Sequence, residues 1–270
     1  MRAMLTAQLA VLAAQRGDAE ASRDYTERAL PVMERLGAVE DCMQLKALLA
    51  TSDIAAGNLD DAERLLSELA EQDRGRTVIG GLMVDLCGRA ELALARGRTE
   101  DGLALYREAV RSLRQHRFPG VETSTELTPW VLYPQAAALA AHALHGPSRP
   151  DAEADALYAD LLRKLVVLLP DTHGFLDFPV TGAIVLALGL WRLTRDDDRD
   201  HAGLERAVRL LVMADALAYN RMLPSLSWEF AAAVAERRRP GTLAAYRAEL
   251  AGRTALDLRD DARRLVAQLA

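Results

Sequence analysis

Gly17-Asp18-Ala19-Glu20-Ala21-Ser22-Arg23-Asp24-Tyr25-Thr26-Glu27-Arg28-Ala29-Leu30 has two later echoes in the chain, opening at Gly57-Asn58 and at Gly97-Arg98, forty residues apart each time. Five positions after each glycine stands a small residue: Ser22, Ala62, Gly102. Nine positions after it come Thr26, Leu66 and Tyr106, and twelve after it Ala29, Leu69 and Ala109. Seven before it there is an alanine every time: Ala10, Ala50 and Ala90. One supersecondary unit recurring at a fixed period is the mark of a repeat array.

The unit has a mechanical reading. Glycine tolerates the left-handed conformation that ends a helix, and Asp18 or Asn58 after it can accept the free amides that start the next one. Alanine, serine or glycine at the crossing points lets two antiparallel helices approach closely. Repeat one then spans helices at 3–16 and 18–36, with Pro31 expected to kink or split the second near Leu30. Repeat two spans 39–56 and 59–72, where Leu59, Ala62, Leu65, Leu66 and Leu69 make one apolar face at helical spacing. Repeat three spans 77–96 and 99–116.

The stretch from Gly17 to Leu30, followed by Gly57 to Ala70 and Gly97 to Val110, resembles the second half of a tetratricopeptide repeat. The period departs from the usual value of about thirty-four, and no first-helix tryptophan is present. The resemblance is clear over residues 3–116. It implies an all-α fold, a right-handed superhelical stack of antiparallel helix pairs, running as one array over residues 1–270.

Past Phe118-Pro119-Gly120, which is turn chemistry, the period stretches while the helix-pair logic continues through residues 126–252. A fourth pair is expected at 130–144 and 151–169, and a fifth at 179–193 and 203–219. A sixth starts near Pro224 and resumes at 242–251. A capping helix at 257–269, begun by Asp257, closes the set, so the expectation is about six pairs plus that helix.

Composition narrows the function classes. Half of the 270 residues are hydrophobic, with few aromatics, which suits helices packed on one another. The two cysteines lie inside predicted helices with no metal spacing, so the expectation is a reducing, cytoplasmic setting. Residues 1–14 lack a basic region ahead of an apolar run and do not read as a signal peptide. No apolar run reaches membrane-span length. A net charge of −6 argues against direct nucleic-acid binding. No Gly-rich phosphate loop, dinucleotide fingerprint or His-Glu-x-x-His sequence occurs, so no cofactor, metal or enzyme activity is expected.

Single residues with a chemical reading each have a plainer one. His142 and His145 share a helical face but lack a third ligand at a defined spacing. Asp171, His173 and Asp177 fit a capped loop as well as acid-base chemistry. Trp130, Trp191 and Trp228 read as core fillers of the later pairs. Arg237 to Arg239 read as a solvated helix end.

A second resemblance lies toward the C-terminus. Arg206 to Leu217, and Ala251 to Leu258 leading into the last helix, are similar to the closing segment of actinobacterial regulators of the Streptomyces antibiotic regulatory protein type. That resemblance implies the interaction and sensing part of a bacterial transcriptional regulator. The alternative is a free-standing scaffold with no link to transcription. In such arrays the first helix of each pair lines a concave groove, which places Gln15, Gln44, Leu48, Thr51, Val84 and Glu91 there. Tetratricopeptide clamps for acidic chaperone tails use Lys and Asn at these positions. The neutral groove expected here suits a protein segment, either another domain of the same regulator or a partner protein, or a small ligand. The open first helix at 3–16 invites a homodimer contact.

A leucine at Ala50 is expected to overpack the crossing and cost about 1 to 3 kcal/mol, read as a lower urea midpoint. An unchanged midpoint would place that position on the surface.

Overall fold

Each of the three recurring glycines stands in the left-handed region, with φ of 79° at Gly17, 81° at Gly57 and 74° at Gly97. The turn they make is a double cap. The Gly17 amide donates to the Ala14 carbonyl at 3.0 Å and the Asp18 amide to Ala13 at 2.9 Å; Gly57-Asn58 and Gly97-Arg98 repeat the pattern. These are the carbonyls that a helix end otherwise leaves without a donor. Asp18 also accepts from the Ala21 amide and so starts the next helix, as its sequence position predicts. Asn58 instead donates its side-chain amide to the Asp53 carboxylate.

The computed structural model describes residues 2–72, 79–115, 125–146, 151–170 and 177–269, with backbone only at 79–84, 125 and 255. Among the described residues there are thirteen α-helices, two short 3-10 turns and no strand. The fold is all-α. The chain divides into two compact units: Met1–Val121 with Arg221–Pro224, and Glu122–Asn220 with Ser225–Ala270.

The first unit holds α1 (Arg2–Arg16), α2 (Ala19–Leu36), α3 (Val39–Ala56), α4 (Leu59–Gln72), α5 (Ile79–Ala95) and α6 (Thr99–Gln115). Each helix packs on the next in sequence, and α3 also packs on both α1 and α5. The predicted crossings are in place: Ala10, Ala50 and Ala90 have no exposed surface, and neither do Ser22 and Ala62 opposite the first two. At the third crossing a Cβ on Gly102 would stand 2.6 Å from Leu94 Cγ and 3.0 Å from the Ala90 carbonyl. Only a glycine fits without a shift there.

Pro31 does not split its helix. α2 runs through it unbroken, because Pro31 and Glu27, whose carbonyl loses its donor, both face water. A fourth left-handed glycine, Gly37, with φ of 66°, caps α2 by the same two bonds. It stands twenty residues from Gly17 and from Gly57, so α1, α2 and α3 end in one device at a period half that of the helix pair.

The second unit holds α7 (Pro129–His145), α8 (Ala152–Leu168), α9 (Phe178–Arg195), α10 (His201–Ala216), α11 (Trp228–Arg238), α12 (Thr242–Leu250) and α13 (Ala255–Val266). Every residue of α7 from Val131 to Ala143 is buried, and α9 is buried almost as fully. α9 packs on α7, α8, α10 and α11. A helix apolar on all sides is covered on all sides. α10 stops earlier than residue 219, at Ala216, with Ala218 carrying the left-handed φ of 52° just beyond it.

The last helix starts earlier than its sequence reading. Thr254, not Asp257, is the cap: its hydroxyl accepts from the Asp257 amide while the Asp257 carboxylate accepts from the Thr254 amide. Asp257 occupies the third helical position of a reciprocal capping box. α13 then packs across α8 and α10.

No atom lies within 4 Å of a Cβ built on Gly57, so replacing it tests backbone strain alone. Gly57→Ala is expected to lose about 1 to 2 kcal/mol and Gly57→Asn less, measured by thermal melting. Equal stability of all three proteins would show that the turn relaxes freely.

Candidate functional site

The positions expected to line a groove in the first unit are divided between interior and surface. Leu48 is 2% exposed, Thr51 6% and Glu91 2%, so these three belong to the interior. Gln44 is exposed and Gln15 half-buried; the Val84 side chain lies outside the described residues. For Leu48 and Thr51 the cause is the packing of α3, which meets α1, α2, α4 and α5 and has little circumference left to offer a ligand. Thr51 donates its hydroxyl to the Leu48 carbonyl of its own helix. The Tyr106 hydroxyl donates to the Glu91 carboxylate at 2.5 Å across the third helix pair. Gln15 gives its backbone carbonyl to the Arg221 amide at 2.9 Å, so the Arg221–Pro224 segment lies where a ligand was expected. Met222 of that segment packs on the cluster formed by Ala7, Ala10, Ala14 and their neighbours.

In the second unit, His142 is buried and its Nδ1 lies 2.9 Å from Asp151 Oδ2. Asp151 also caps α8 by accepting from the Ala154 amide. Burial pushes the Asp151 carboxyl up, but that amide and the His142 imidazole together outweigh it and leave the group below its usual range. Burial lowers His145. Asp177 caps α9 through the Val180 amide, while Asp171 and His173 lie outside the described residues. Among the described residues no cluster of three side chains could hold a metal ion.

The tryptophans and arginines at the helix ends are tied together. Arg195 stacks on Trp191 at 4.3 Å and Arg247 on Trp228 at 4.4 Å. Arg237 is exposed, as a solvated helix end requires, but its two neighbours are not free. Arg238 donates to the Asp196 carbonyl at 2.6 Å and pairs with Asp198, and Arg239 donates to Glu205 at 2.5 Å. The run fastens α11 to the start of α10 and the loop before it.

A cavity of about 460 Å³ opens among α10, α12 and α13. Arg206, Arg209 and Met213 reach it from α10, three and four residues apart and hence on one helical face. Tyr246, Glu249 and Leu250 reach it from α12, and Asp261, Arg264 and Leu265 from α13. Gly252, with φ of 76°, makes the turn that brings α13 back, and Leu258, Ala262 and Val266 bury its inner face. The charges in the wall are mostly spoken for. Arg209 stacks on Tyr246 at 4.2 Å and pairs with Glu249 at 3.1 Å. Arg253 pairs with Asp261 at 2.7 Å, and Arg264 pairs with the same carboxylate. Arg206 is the exception: its Nε is shut off from solvent and meets no acceptor.

No protein-family model matches this chain, and neither does any curated protein or solved structure. The site is therefore characterised by its own geometry. An arginine-rich cavity with an aromatic wall is suited to binding: it offers cationic donors and apolar surface together. Sequence reading missed it because its wall comes from three helices joined by a non-sequential packing of α13 on α10. The one signal was the arginine spacing at 206, 209 and 253, inside segments read for another purpose.

A carboxyl held low in the folded state stabilises the fold above its ordinary value and loses that effect as pH falls through its lowered one. Urea denaturation of the native chain and Asp151→Asn is therefore expected to show a stability gap near neutral pH. That gap should begin to narrow near about pH 4, where the unfolded carboxyl takes up its proton while the folded one is still ionised. A gap independent of pH would remove the ionised carboxylate as its source.

Proposed function

We propose that this chain is a non-catalytic helical-repeat module that works by binding, and that it forms the interaction and sensing part of a bacterial transcriptional regulator. The capped helix pairs, the small residues at their crossings and the packing of α3 on α1 and α5 support a tetratricopeptide-like superhelical stack. The resemblance of Arg206 to Leu217 and Ala251 to Leu258 supports the link to transcription.

The observation that carries the interaction reading is the outer face of α1. Met4 is 59% exposed, Leu5 61%, Leu9 45% and Leu12 48%, while Ala7, Ala10 and Ala14 on the other side are buried. Leu5, Leu9 and Leu12 follow helical spacing, so they form one apolar stripe. The only charges on the helix are Arg2 and Arg16, at its two ends. A helix with an apolar stripe and acidic flanks is the complementary partner. In the chain alone, the same stripe on a second copy can supply the apolar surface, without the acidic flanks.

Sedimentation of the chain at rising concentration is expected to show self-association that Leu9→Glu abolishes without loss of helicity. A strict monomer at high concentration overturns the self-association. The regulator reading is tested by the reading frame that encodes these residues: a DNA-binding module in the same polypeptide supports it, and an enzyme module in that place overturns it.

A further inference from the structure

We infer that the cavity among α10, α12 and α13 binds a small amphiphilic oxyanion, a carboxylate or phosphate group carried on an apolar body. The inference deepens the sensing part of the proposal above and rests on it for its biological meaning; the binding itself belongs to this chain alone.

The first argument is charge. Four arginines, Arg206, Arg209, Arg253 and Arg264, line the cavity against three carboxylates, Glu205, Glu249 and Asp261. Glu205 is held by Arg239, which is not part of the wall. The cavity is therefore left cationic in a chain whose overall charge is −6. The second argument is availability. Among the described residues no carboxylate pairs with Arg206, whereas Arg209, Arg253 and Arg264 in the same wall are each held by one. A guanidinium presents two parallel donors, which matches the paired oxygens of a carboxylate or phosphate.

The third argument is shape. Met213, 3% exposed, lines the cavity, and Leu250, Leu265 and Tyr246 add apolar surface to its wall. A volume of about 460 Å³ falls in the range of small-molecule sites, well beyond what a bare ion needs. Arg209 stacked on Tyr246 marks where a flat apolar body has a second face to lie against. An oxyanion at Arg206 with its apolar part toward Met213 satisfies all three arguments.

The test is a calorimetric titration of the full chain with four probes: benzoate, phenyl phosphate, inorganic phosphate and benzylamine. At least one aryl anion is expected to bind with a Kd below about 1 mM, with inorganic phosphate about tenfold weaker or more and benzylamine silent. The tighter of benzoate and phenyl phosphate identifies the head group. Arg206→Leu is expected to weaken that binding at least about tenfold, and Arg237→Ala, outside the cavity, to leave it unchanged. Methyl resonances of Met213 and Leu265 in the native chain should shift on the same titration, which keeps the test valid if Arg206→Leu does not fold. Benzylamine binding as well as the anions, inorganic phosphate binding as well as phenyl phosphate, unaltered affinity in a folded Arg206→Leu, or unmoved methyls overturn the inference. Those results leave the self-association through α1 untouched, so the two readings fail separately.

Discussion

A helix that must reverse within two residues needs one of them in the left-handed conformation, and the first unit depends on glycine meeting that need at Gly17, Gly37, Gly57 and Gly97. The two bonds at each turn satisfy carbonyls that would otherwise face the neighbouring helix without a donor. Because the turn is so short, the next helix has only one way to go, back along the one before it. Tyr106 meeting Glu91 while Gly102 meets Leu94 shows that antiparallel run directly.

Once the helices are returned side by side, their separation is set by what stands at the crossing. Ala50 against Ala62, and Ala90 against Gly102, bring backbones close enough that larger side chains on either side, Leu65, Leu66 and Leu92, close over the contact. The polar groups trapped in this arrangement are matched locally. Asp53, 3% exposed, receives both Arg23 of the preceding helix and Asn58 of the following turn, so one buried carboxylate ties three successive elements. The bond to Asp53 holds the Arg23 guanidinium firmly in its charged form.

The helices themselves were legible in the residues because their signals are local. Val39–Ala56 and Leu59–Gln72 fall where spacing and caps predict, since glycine, Asx and apolar periodicity act within a few residues. Gly37 carries a weaker signal because Ala38 follows it in place of an Asx residue, which hides the half-period. The groove positions failed for a different reason. Helical phase tells which residues share a face, and it cannot tell that α3 is covered on several faces, which is what puts Leu48 and Thr51 inside. The arginine cavity needs a return of α13 onto α10, a contact that no sequence period announces. Arg238 and Arg239 likewise find Asp198 and Glu205 only through tertiary packing.

The Arg221–Pro224 segment belongs to the first unit although it is made long after α1. Nearly all other packing in that unit joins helices adjacent or next-but-one in sequence, which assemble quickly as a chain emerges from the ribosome. The bond from Arg221 to Gln15 is the opposite kind of contact, closing the long stretch between them into a loop. During synthesis the first helix pair therefore waits, with the Met222 side of its alanine cluster uncovered, until residues 221–224 have been translated. Of that unit's six helices the first one made is among the last to be finished.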